Sequence, residues 1–175
     1  HYGVTFGNNT FVLVGLSGNI VRSTDNGSSF DNATSSTGNT LYTVAFGNNT
    51  FVAVGDSGTI VRSTDNGSTW DNATSPTGIL LFGVAFGNNT FVAVGNSGNI
   101  VRSTDNGSTF DNATSPTANY LYGVTFANNT FVGVGQSGNI VKSTDNGSSW
   151  DNATSPTAKY LIGITFGNNT FVGVG

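Results

Sequence analysis

The chain contains no cysteine, no methionine and no glutamate, so all nine of its acidic residues are aspartates. Without cysteine, disulfides cannot contribute to stability, and cysteine usage gives no information on the redox compartment. Only 8% of the 175 residues are charged, and histidine occurs once, as His1. The chain therefore lacks several of the side chains on which catalytic and metal sites usually depend.

Basic residues are also scarce, and the five lysines and arginines leave a net charge of −4. A protein that binds nucleic acid is expected to carry a basic patch, so the composition argues against a nucleic-acid partner. No segment approaches the roughly 18 apolar residues of a membrane span, and there is no signal peptide. Together with abundant Gly, Ser, Thr and Asn, these absences are typical of an exported β-protein. We therefore expect an extracellular or cell-surface location.

The dominant positive feature is a sequence repeat that runs through the whole chain without a change of register. It divides the chain, a single repeat array, into four units, residues 1–40, 41–80, 81–120 and 121–160, and a partial unit, residues 161–175. A period of about 40–50 residues made only of short strands is typical of propellers and other stacked arrays. Both ends carry the same pair of strands, which predicts either a segment of a longer array or completion by another chain.

The second unit illustrates the strands that the pattern predicts. Residues 41–46, 51–54 and 59–63 are rich in β-branched and aromatic side chains, and residues 68–70 open a fourth strand. Turn signals separate these segments at residues 47–49, 57–58 and 65–67, where Gly and Asn tolerate positive φ. Four strands within one unit leave no room for a helix.

Both faces of the second strand are apolar, since Val52 and Val54 point one way and Phe51 and Ala53 point the other. A sheet of this kind must be covered on both sides, and stacked sheets achieve this because each covers the next. The pattern therefore predicts an all-β fold of four-stranded antiparallel blades of β-propeller type. A closed propeller of four or five blades and an open or superhelical array are both compatible with it.

One motif recurs in every full unit, at the turn between the third and fourth strands. It reads S-x-D-x-G-x-x-W/F and occupies residues 23–30, 63–70, 103–110 and 143–150. With the strand segment that precedes it, the motif resembles the Asp-box (BNR) repeat of sialidases, of photosystem assembly factors of the Ycf48 type and of many bacterial surface proteins. The resemblance covers the whole chain and implies β-propeller blades.

The resemblance implies that the box is a structural hairpin. Its aspartate accepts hydrogen bonds from backbone N–H groups of the same turn, its glycine adopts positive φ, and its aromatic residue anchors the hairpin to the core. The aspartates are Asp25, Asp65, Asp105 and Asp145. The glycines are Gly27, Gly67, Gly107 and Gly147. The aromatic residues are Phe30, Trp70, Phe110 and Trp150.

We predict no enzymatic activity, no catalytic residue, no cofactor and no metal site. The sialidase mechanism that the resemblance implies needs a glutamate partner for its tyrosine nucleophile, and the chain has no glutamate. His1 has no second histidine with which to hold copper. Pairs of the type Asp25 and Asp31 could supply two carboxylates, but they recur in every unit, whereas an enzyme usually builds one asymmetric pocket. The Asp-Asn-Gly spacing does not match a known calcium loop.

The chain has thirteen N-x-S/T sequons for N-glycosylation, where its composition predicts about six by chance. They form three sets. The set that follows the fourth strand, where no turn requires asparagine, ranks highest as a carrier of covalent glycans: Asn32, Asn72, Asn112 and Asn152. The hairpin set ranks second: Asn8, Asn48, Asn88, Asn128 and Asn168. The set inside the Asp box ranks third, because its turn explains it: Asn26, Asn66, Asn106 and Asn146.

These observations favour a non-enzymatic extracellular structural or surface protein that is N-glycosylated and self-associates in a filament or larger assembly. Two alternatives remain open. A lectin-like propeller would bind carbohydrate through Trp70, Trp150 or the variable tips at residues 39–40, 79–80, 119–120 and 159–160. A scaffold or assembly factor of the Ycf48 type is the other.

Overall fold

A computed structural model describes all residues 1–175, and it contains eighteen strands and no α-helix. The strands form four four-stranded antiparallel sheets and one two-stranded sheet, which follow the repeat units of the sequence. This confirms the predicted all-β architecture of four-stranded antiparallel units. The sheets do not close into a ring, because the outer faces of the first and last sheets are exposed. No helix has the length and apolar character needed to cross a bilayer.

Each full unit contributes one sheet, whose strands follow one another in chain order. The first sheet contains β1 (Gly3–Gly7), β2 (Thr10–Val14), β3 (Ile20–Ser23) and β4 (Asp31–Asn32). The second contains β5 (Leu41–Gly47), β6 (Thr50–Gly55), β7 (Ile60–Ser63) and β8 (Asp71–Asn72). The third contains β9 (Leu81–Gly87), β10 (Thr90–Gly95), β11 (Ile100–Ser103) and β12 (Asp111–Asn112). The fourth contains β13 (Leu121–Ala127), β14 (Thr130–Gly135), β15 (Ile140–Ser143) and β16 (Asp151–Ala153). The last sheet contains β17 (Gly163–Gly167) and β18 (Thr170–Val174).

The first two strands of each unit form a tight hairpin. In the second unit Phe46 pairs with Phe51, and Asn48 and Asn49 form the turn with φ of 48° and 57°. Two successive residues with positive φ match the right-handed twist of the strands, which is why Asn-Asn is used here. The hairpin turn predicted at residues 47–49 is therefore present.

The predicted start of the fourth strand at residues 68–70 is wrong. The strand begins at Asp71 and contains only two residues. The reason is that the preceding N–H groups are used elsewhere: Thr69 donates to the Asp65 carboxylate and Trp70 donates to the Thr34 carbonyl of the unit before it. The third strand likewise begins at Ile60, after a single 3-10 turn over Asp56–Gly58.

The hydrophobic core lies between the sheets. Val12 and Val14 of the first unit pack with Leu41, Phe51 and Trp70 of the second in one cluster of buried side chains. The opposite face of the second unit repeats this arrangement against the third unit, through Val52 and Val54. Each inner sheet is thus buried on both faces, as its apolar pattern predicts.

The first strands of successive units lie against one another and approach very closely. A Cβ at Gly3 would lie 2.7 Å from the Thr43 Cα and 2.9 Å from the Tyr42 carbonyl. A Cβ at Gly7 would overlap the ring of Phe46 in the next unit, and Gly47 and Phe86 repeat this contact. At Gly3, Gly7 and Gly47 the packed units leave no space for a Cβ, although the equivalent positions carry Thr43 in the second unit and Ala127 in the fourth.

Candidate functional site

The turn between the third and fourth strands is a network of hydrogen bonds around one carboxylate. We call residues 63–70 and their equivalents the Asp turn. The Asp65 carboxylate accepts bonds from the Thr69 N–H at 3.0 Å, the Thr69 hydroxyl at 2.6 Å and the Ser63 hydroxyl at 2.8 Å. The Ser63 hydroxyl in turn accepts the Gly67 N–H at 2.9 Å. Asn66 and Gly67 close the turn with φ of 63° and 79°.

These hydrogen bonds stabilise the charged form of the aspartates. The Ser29 hydroxyl, the Ser29 N–H and the Ser23 hydroxyl lower the pKa of Asp25 to about 2. At Asp65 partial burial raises the pKa, but the hydroxyl and N–H of Thr69 outweigh it and the pKa is again about 2. Hydrogen bonding to an ionised carboxylate has this effect because protonation would break the bonds. The same pKa of about 2 is found at Asp105 and Asp145.

The aromatic residue at the end of each Asp turn lies beneath it. Trp70 is 3% exposed, and its indole N–H donates to the Gly67 carbonyl at 3.1 Å. Trp150 makes the same bond to Gly147 and is also buried. The equivalent Phe30 is 45% exposed, since no side chain of residues 1–175 covers it as Val12 and Val14 cover Trp70. The two tryptophans are thus core residues, and the hypothesis that they contact a carbohydrate from solution is wrong.

The Asp turn also connects one unit to the unit before it. The Asn66 amide N–H donates to the Thr10 hydroxyl at 2.6 Å, and the Arg22 guanidinium donates to the Asn66 carbonyl at 3.2 Å. Thr34 of the first unit forms a parallel bridge with Thr69 of the second. Two of these contacts recur between the second and third units: the Asn106 amide donates to the Thr50 hydroxyl, and Thr74 forms a parallel bridge with Thr109.

The connecting role of Asn66 could not be found from sequence reasoning about a single unit. Its partner lies 56 residues earlier in the chain, on a strand of a different sheet. The sequence shows that the Asn and the Thr recur in every unit. A local turn explains this recurrence as well as a contact between units does.

The two ends of the array expose the faces that the inner units bury. Val4 and Phe6 are 63% and 52% exposed, whereas the equivalent Val44 is buried against the first unit. At the other end Val172 and Val174 are 47% and 61% exposed, whereas their equivalents in the first three units are fully buried. One end thus presents the face that packs on a preceding unit, and the other end presents the part of the complementary face that the first two strands of a unit supply.

The three sequon sets occupy different environments. The asparagines of the outer strands are exposed, as are the threonines two residues later. In the hairpin set, Asn48, Asn88 and Asn128 donate their amide N–H groups to asparagines of the following unit. In the set within the Asp turn, Asn66 and Asn106 are half-buried and donate to the preceding unit.

A row of aromatic side chains runs across the units. Tyr2, Tyr42, Phe82 and Tyr122 occupy one repeat position at the start of the first strands, whereas the fifth unit has Ile162 there and its tip residue Tyr160 packs on Tyr122 instead. We call Tyr2, Tyr42, Phe82, Tyr122 and Tyr160 the aromatic row, in which successive ring centroids lie 5.2–6.1 Å apart. The Tyr42 hydroxyl donates to Asp56 at 3.1 Å. The variable tip residue Tyr120 extends the row, since its ring lies edge-on to Tyr122 at 6.3 Å.

The remaining charged residues are spread along the array. Each third strand carries one basic residue, which lies opposite an aspartate of the fourth strand. The pairs are Arg22 and Asp31, Arg62 and Asp71, Arg102 and Asp111, and Lys142 and Asp151. No three His or Asp side chains lie close enough together to hold a metal ion, and the surface has no enclosed pocket.

No protein-family model and no curated protein sequence matches the chain. Solved structures match its fold. Ycf48 from Cyanidioschyzon merolae has a TM-score of 0.70 at 18% identity, with 96% of this chain covering 60% of that chain. Ycf48 bound to D1 peptide has a TM-score of 0.71 at 17% identity, with 98% of this chain covering 59% of that chain. A chain of the nidogen–laminin complex has a TM-score of 0.76 at 12% identity, with coverage of 98% and 70%.

This chain therefore spans about three fifths of the length of the Ycf48 chains that it matches. At identities this low the likeness concerns the fold alone. The repeated four-stranded sheets of this chain are blades of β-propeller type, arranged as an open array.

Proposed function

We propose that the chain is a non-enzymatic extracellular structural protein that assembles end to end with further copies of itself. The observation that carries this proposal is the exposure, at opposite ends, of complementary apolar faces that the inner units bury against one another. When two copies meet through different surface patches, they join head to tail. Repetition of that contact produces a ring if the rotation closes and a filament if it does not.

The contacts inside the chain describe the expected joint between two copies. Phe6 of the second copy would pack on Gly167 of the first, as Phe46 packs on Gly7. Asn26 would donate to Thr170, as Asn66 donates to Thr10. Val4, Val172 and Val174 would become buried and Phe6 half-buried, like Phe46 and Phe86 inside the chain. Full burial of one such side chain from complete exposure contributes about 1.5–3 kcal/mol, and these side chains start about half exposed, so each contributes less.

Two further features support the structural part of this proposal. The Asp-turn carboxylates are already engaged by hydroxyl and N–H donors of their own turn, so we propose a structural role for them rather than a catalytic one. We also propose that the units belong to the Asp-box repeat class, because the motif occurs in register four times. The excess of sequons supports an extracellular location, where N-glycans are found.

The proposal is tested by substituting Gly167, whose Cβ would meet nothing within 4 Å in the single chain. Gly167→Leu leaves the fold of the chain unchanged but places a side chain where the Phe6 ring of the next copy must lie. A large side chain is needed because Ala127 occupies this position in the fourth unit. We expect the parent chain to associate with increasing concentration in sedimentation velocity, and G167L to remain monomeric.

Gly38→Leu is the matched control. A Cβ at Gly38 also meets nothing within 4 Å, but this residue lies in the segment between β4 and β5, away from both end faces. G38L should associate like the parent chain. A parent chain that stays monomeric at every concentration, or a G167L variant that associates like the parent, would refute end-to-end assembly.

The aromatic row supports a second candidate function, ligand binding. Its rings lie beside the variable tips, where Tyr120, Tyr160 and Ile79 are exposed, and aromatic rings stack on sugars and on apolar peptide side chains. A Ycf48 chain with the same fold binds a D1 peptide, so a peptide is one possible ligand class and a carbohydrate is the other. Binding of the monomeric G167L variant to a glycan or peptide array would favour this candidate.

A further inference from the structure

The three sequon sets share the N-x-S/T motif, but they differ in whether the asparagine amide nitrogen is free or is hydrogen-bonded to a neighbouring unit. N-glycosylation forms a bond at this atom, Nδ2, and leaves a bulky sugar attached to it. An asparagine whose Nδ2 is held between two units has no space for that sugar. The environment of Nδ2 therefore distinguishes acceptors from non-acceptors within one repeat.

The outer-strand set leaves Nδ2 free. Asn72 lies on β8, which pairs with β7 alone and is the edge strand of its sheet. Its side-chain oxygen accepts the Ser36 hydroxyl at 3.1 Å, and its Nδ2 makes no hydrogen bond. The sequon threonine, Thr74, is also exposed, and it contacts the next unit through its backbone. A sugar on Asn72 would extend from the edge of the sheet into solvent.

Within the Asp turn, Asn66 and Asn106 are the opposite case, whereas Asn26 and Asn146 are exposed. The Nδ2 atoms of Asn66 and Asn106 donate to Thr10 and Thr50 at 2.6 Å, and their side-chain oxygens are buried. Packing of the adjacent Gly67 is tight as well, since a Cβ there would lie 3.0 Å from a Val12 methyl carbon. A sugar on Asn66 would have to separate the second unit from the first.

The hairpin set is intermediate. Asn48 and Asn88 donate Nδ2 to Asn89 and Asn129 of the next unit at 3.2 and 3.3 Å. The sequon threonine Thr50 is buried and already accepts the Asn106 amide. These contacts are more exposed than those of the Asp turn, so the fold disfavours a sugar here less strongly.

We propose that Asn32, Asn72, Asn112 and Asn152 are the glycan acceptors of the folded protein and that Asn66 and Asn106 are not. The proposal rests on the extracellular location in the proposed function, because the modification requires a glycosylation pathway. The donor is an oligosaccharide linked to a lipid diphosphate. Nδ2 attacks the anomeric carbon, an N–C bond forms, the C–O bond to the diphosphate breaks, and the lipid diphosphate leaves as Nδ2 loses a proton.

The test is to secrete the full chain from a eukaryotic cell line and map its glycans. Enzymatic deglycosylation in 18O-water marks each occupied asparagine, and peptide mass spectrometry then reports occupancy by position. We expect high occupancy at the four outer-strand positions and at least tenfold lower occupancy at Asn66 and Asn106. High occupancy at Asn66 or Asn106, or unmodified outer-strand positions in the secreted protein, would overturn the proposal.

Asn26 provides an internal control for Asn66. Both have the sequon Asn-Gly-Ser, but Asn26 is exposed and has no preceding unit to contact. If contact between units is what excludes the sugar, Asn26 should show higher occupancy than Asn66. Equal, low occupancy at both would mean that the local turn sequence, rather than the packing, prevents modification.

Thr74→Ala removes one acceptor sequon without touching the backbone bonds that Thr74 makes to Ser108 and Phe110. T74A should lose the glycan of Asn72 and keep the other three, and Thr74→Ser should keep all four. Sedimentation velocity on the same chain produced without glycans reports end-to-end association independently, because a sugar on Asn26 would itself block the joint between copies. Mass spectrometry therefore tests the glycan proposal, and sedimentation velocity tests the assembly proposal, so that either can fail without the other.

Discussion

A single carboxylate determines the conformation of each Asp turn. Asp65 accepts three hydrogen bonds from two residues, and the same bonds recur at Asp105 and Asp145. Because the Asp65 side chain accepts the Thr69 N–H, that group cannot take part in strand pairing, and the fourth strand begins only at Asp71. The residue that defines the turn therefore also shortens the strand that follows it.

The low pKa of these aspartates predicts a loss of stability in acid. Their folded pKa of about 2 is below the value of about 3.9 expected in the unfolded chain. A lowered folded pKa contributes stability above the unfolded pKa, and this contribution is lost as pH falls through the folded pKa. We expect the free energy of unfolding, measured with urea, to fall between about pH 4 and pH 2.

Asp65→Asn isolates one of these residues. The amide has one acceptor oxygen instead of two, so D65N should lower the free energy of unfolding at pH 7 by about 1 kcal/mol. The deficit should shrink toward pH 2, where the parent carboxylate becomes protonated. Asp71→Asn, on the exposed outer strand, is the control and should change little at either pH. An undiminished D65N deficit at pH 2 would contradict the charge argument.

At the residue scale, the sequence predicted the turn better than the connection between turns. Asp, Gly and an aromatic residue at fixed spacing predict local hydrogen bonds and a local anchor, and these depend only on nearby residues. The bond from Asn66 to Thr10 depends on which units become neighbours. Likewise, the exposed Phe30 and the buried Trp70 occupy the same motif position and differ only in what lies beside them.

At the scale of elements, each inner sheet is held by its neighbours through two kinds of contact. Valine faces such as Val12 and Val14 supply apolar burial. The Asp turn supplies directional bonds, including the Asn66 amide on Thr10 and the bridge between Thr34 and Thr69. The apolar contacts supply most of the free energy, and the polar contacts fix how one sheet lies on the next.

Asn66→Ala tests the directional contact. The substitution leaves the Thr10 hydroxyl without its 2.6 Å donor in a buried setting, so we expect the free energy of unfolding to fall by about 1–3 kcal/mol. Asn26→Ala is the matched control, because Asn26 occupies the same turn position with positive φ and has no partner unit. N26A should show only the smaller loss that alanine at positive φ causes in both variants, and equal losses in N26A and N66A would show that the effect is local to the turn.

The elements themselves were largely predictable. Alternating Val and Phe or Ala side chains on β6 define two apolar faces, and Asn-Asn defines the hairpin. The start of the fourth strand was not predictable in the same way, because the N–H two residues before the strand bonds to the Asp-turn carboxylate, as Thr69 does to Asp65. The first unit has the same limits, with Ser29 on Asp25 and β4 beginning at Asp31, so the local turn sets this start and β-propensity does not encode it.

At the scale of the whole molecule, the array repeats one interface, so its stability approximates a sum of unit and neighbour contributions. Any unit presents to the next the same valine face, the same glycine at the end of its first strand and the same threonine for the Asp turn. The one departure is Ala127, which replaces this glycine in the fourth unit.

Removal of one whole unit should therefore leave a folded protein. Deletion of residues 41–80 places the first unit against the third, where Phe86 can pack on Gly7 and Asn106 can bond to Thr10. We expect the circular dichroism spectrum of a β-protein, a cooperative urea transition and a smaller m-value, since less surface is buried. Deletion of residues 41–60 removes half a unit and shifts the repeat, so it should abolish cooperative unfolding. Loss of folding in both variants would contradict modular stability.

The burial of the two tryptophans has an optical consequence. Trp70 lies in the core between the first and second units, and Trp150 lies in the core between the third and fourth. The core between the second and third units contains Phe110 in the equivalent place. Tryptophan fluorescence therefore follows the opening of the first and third joints while the second joint contributes no tryptophan signal. Exchanging Trp70 and Phe110 would move the emitter from the first joint to the second.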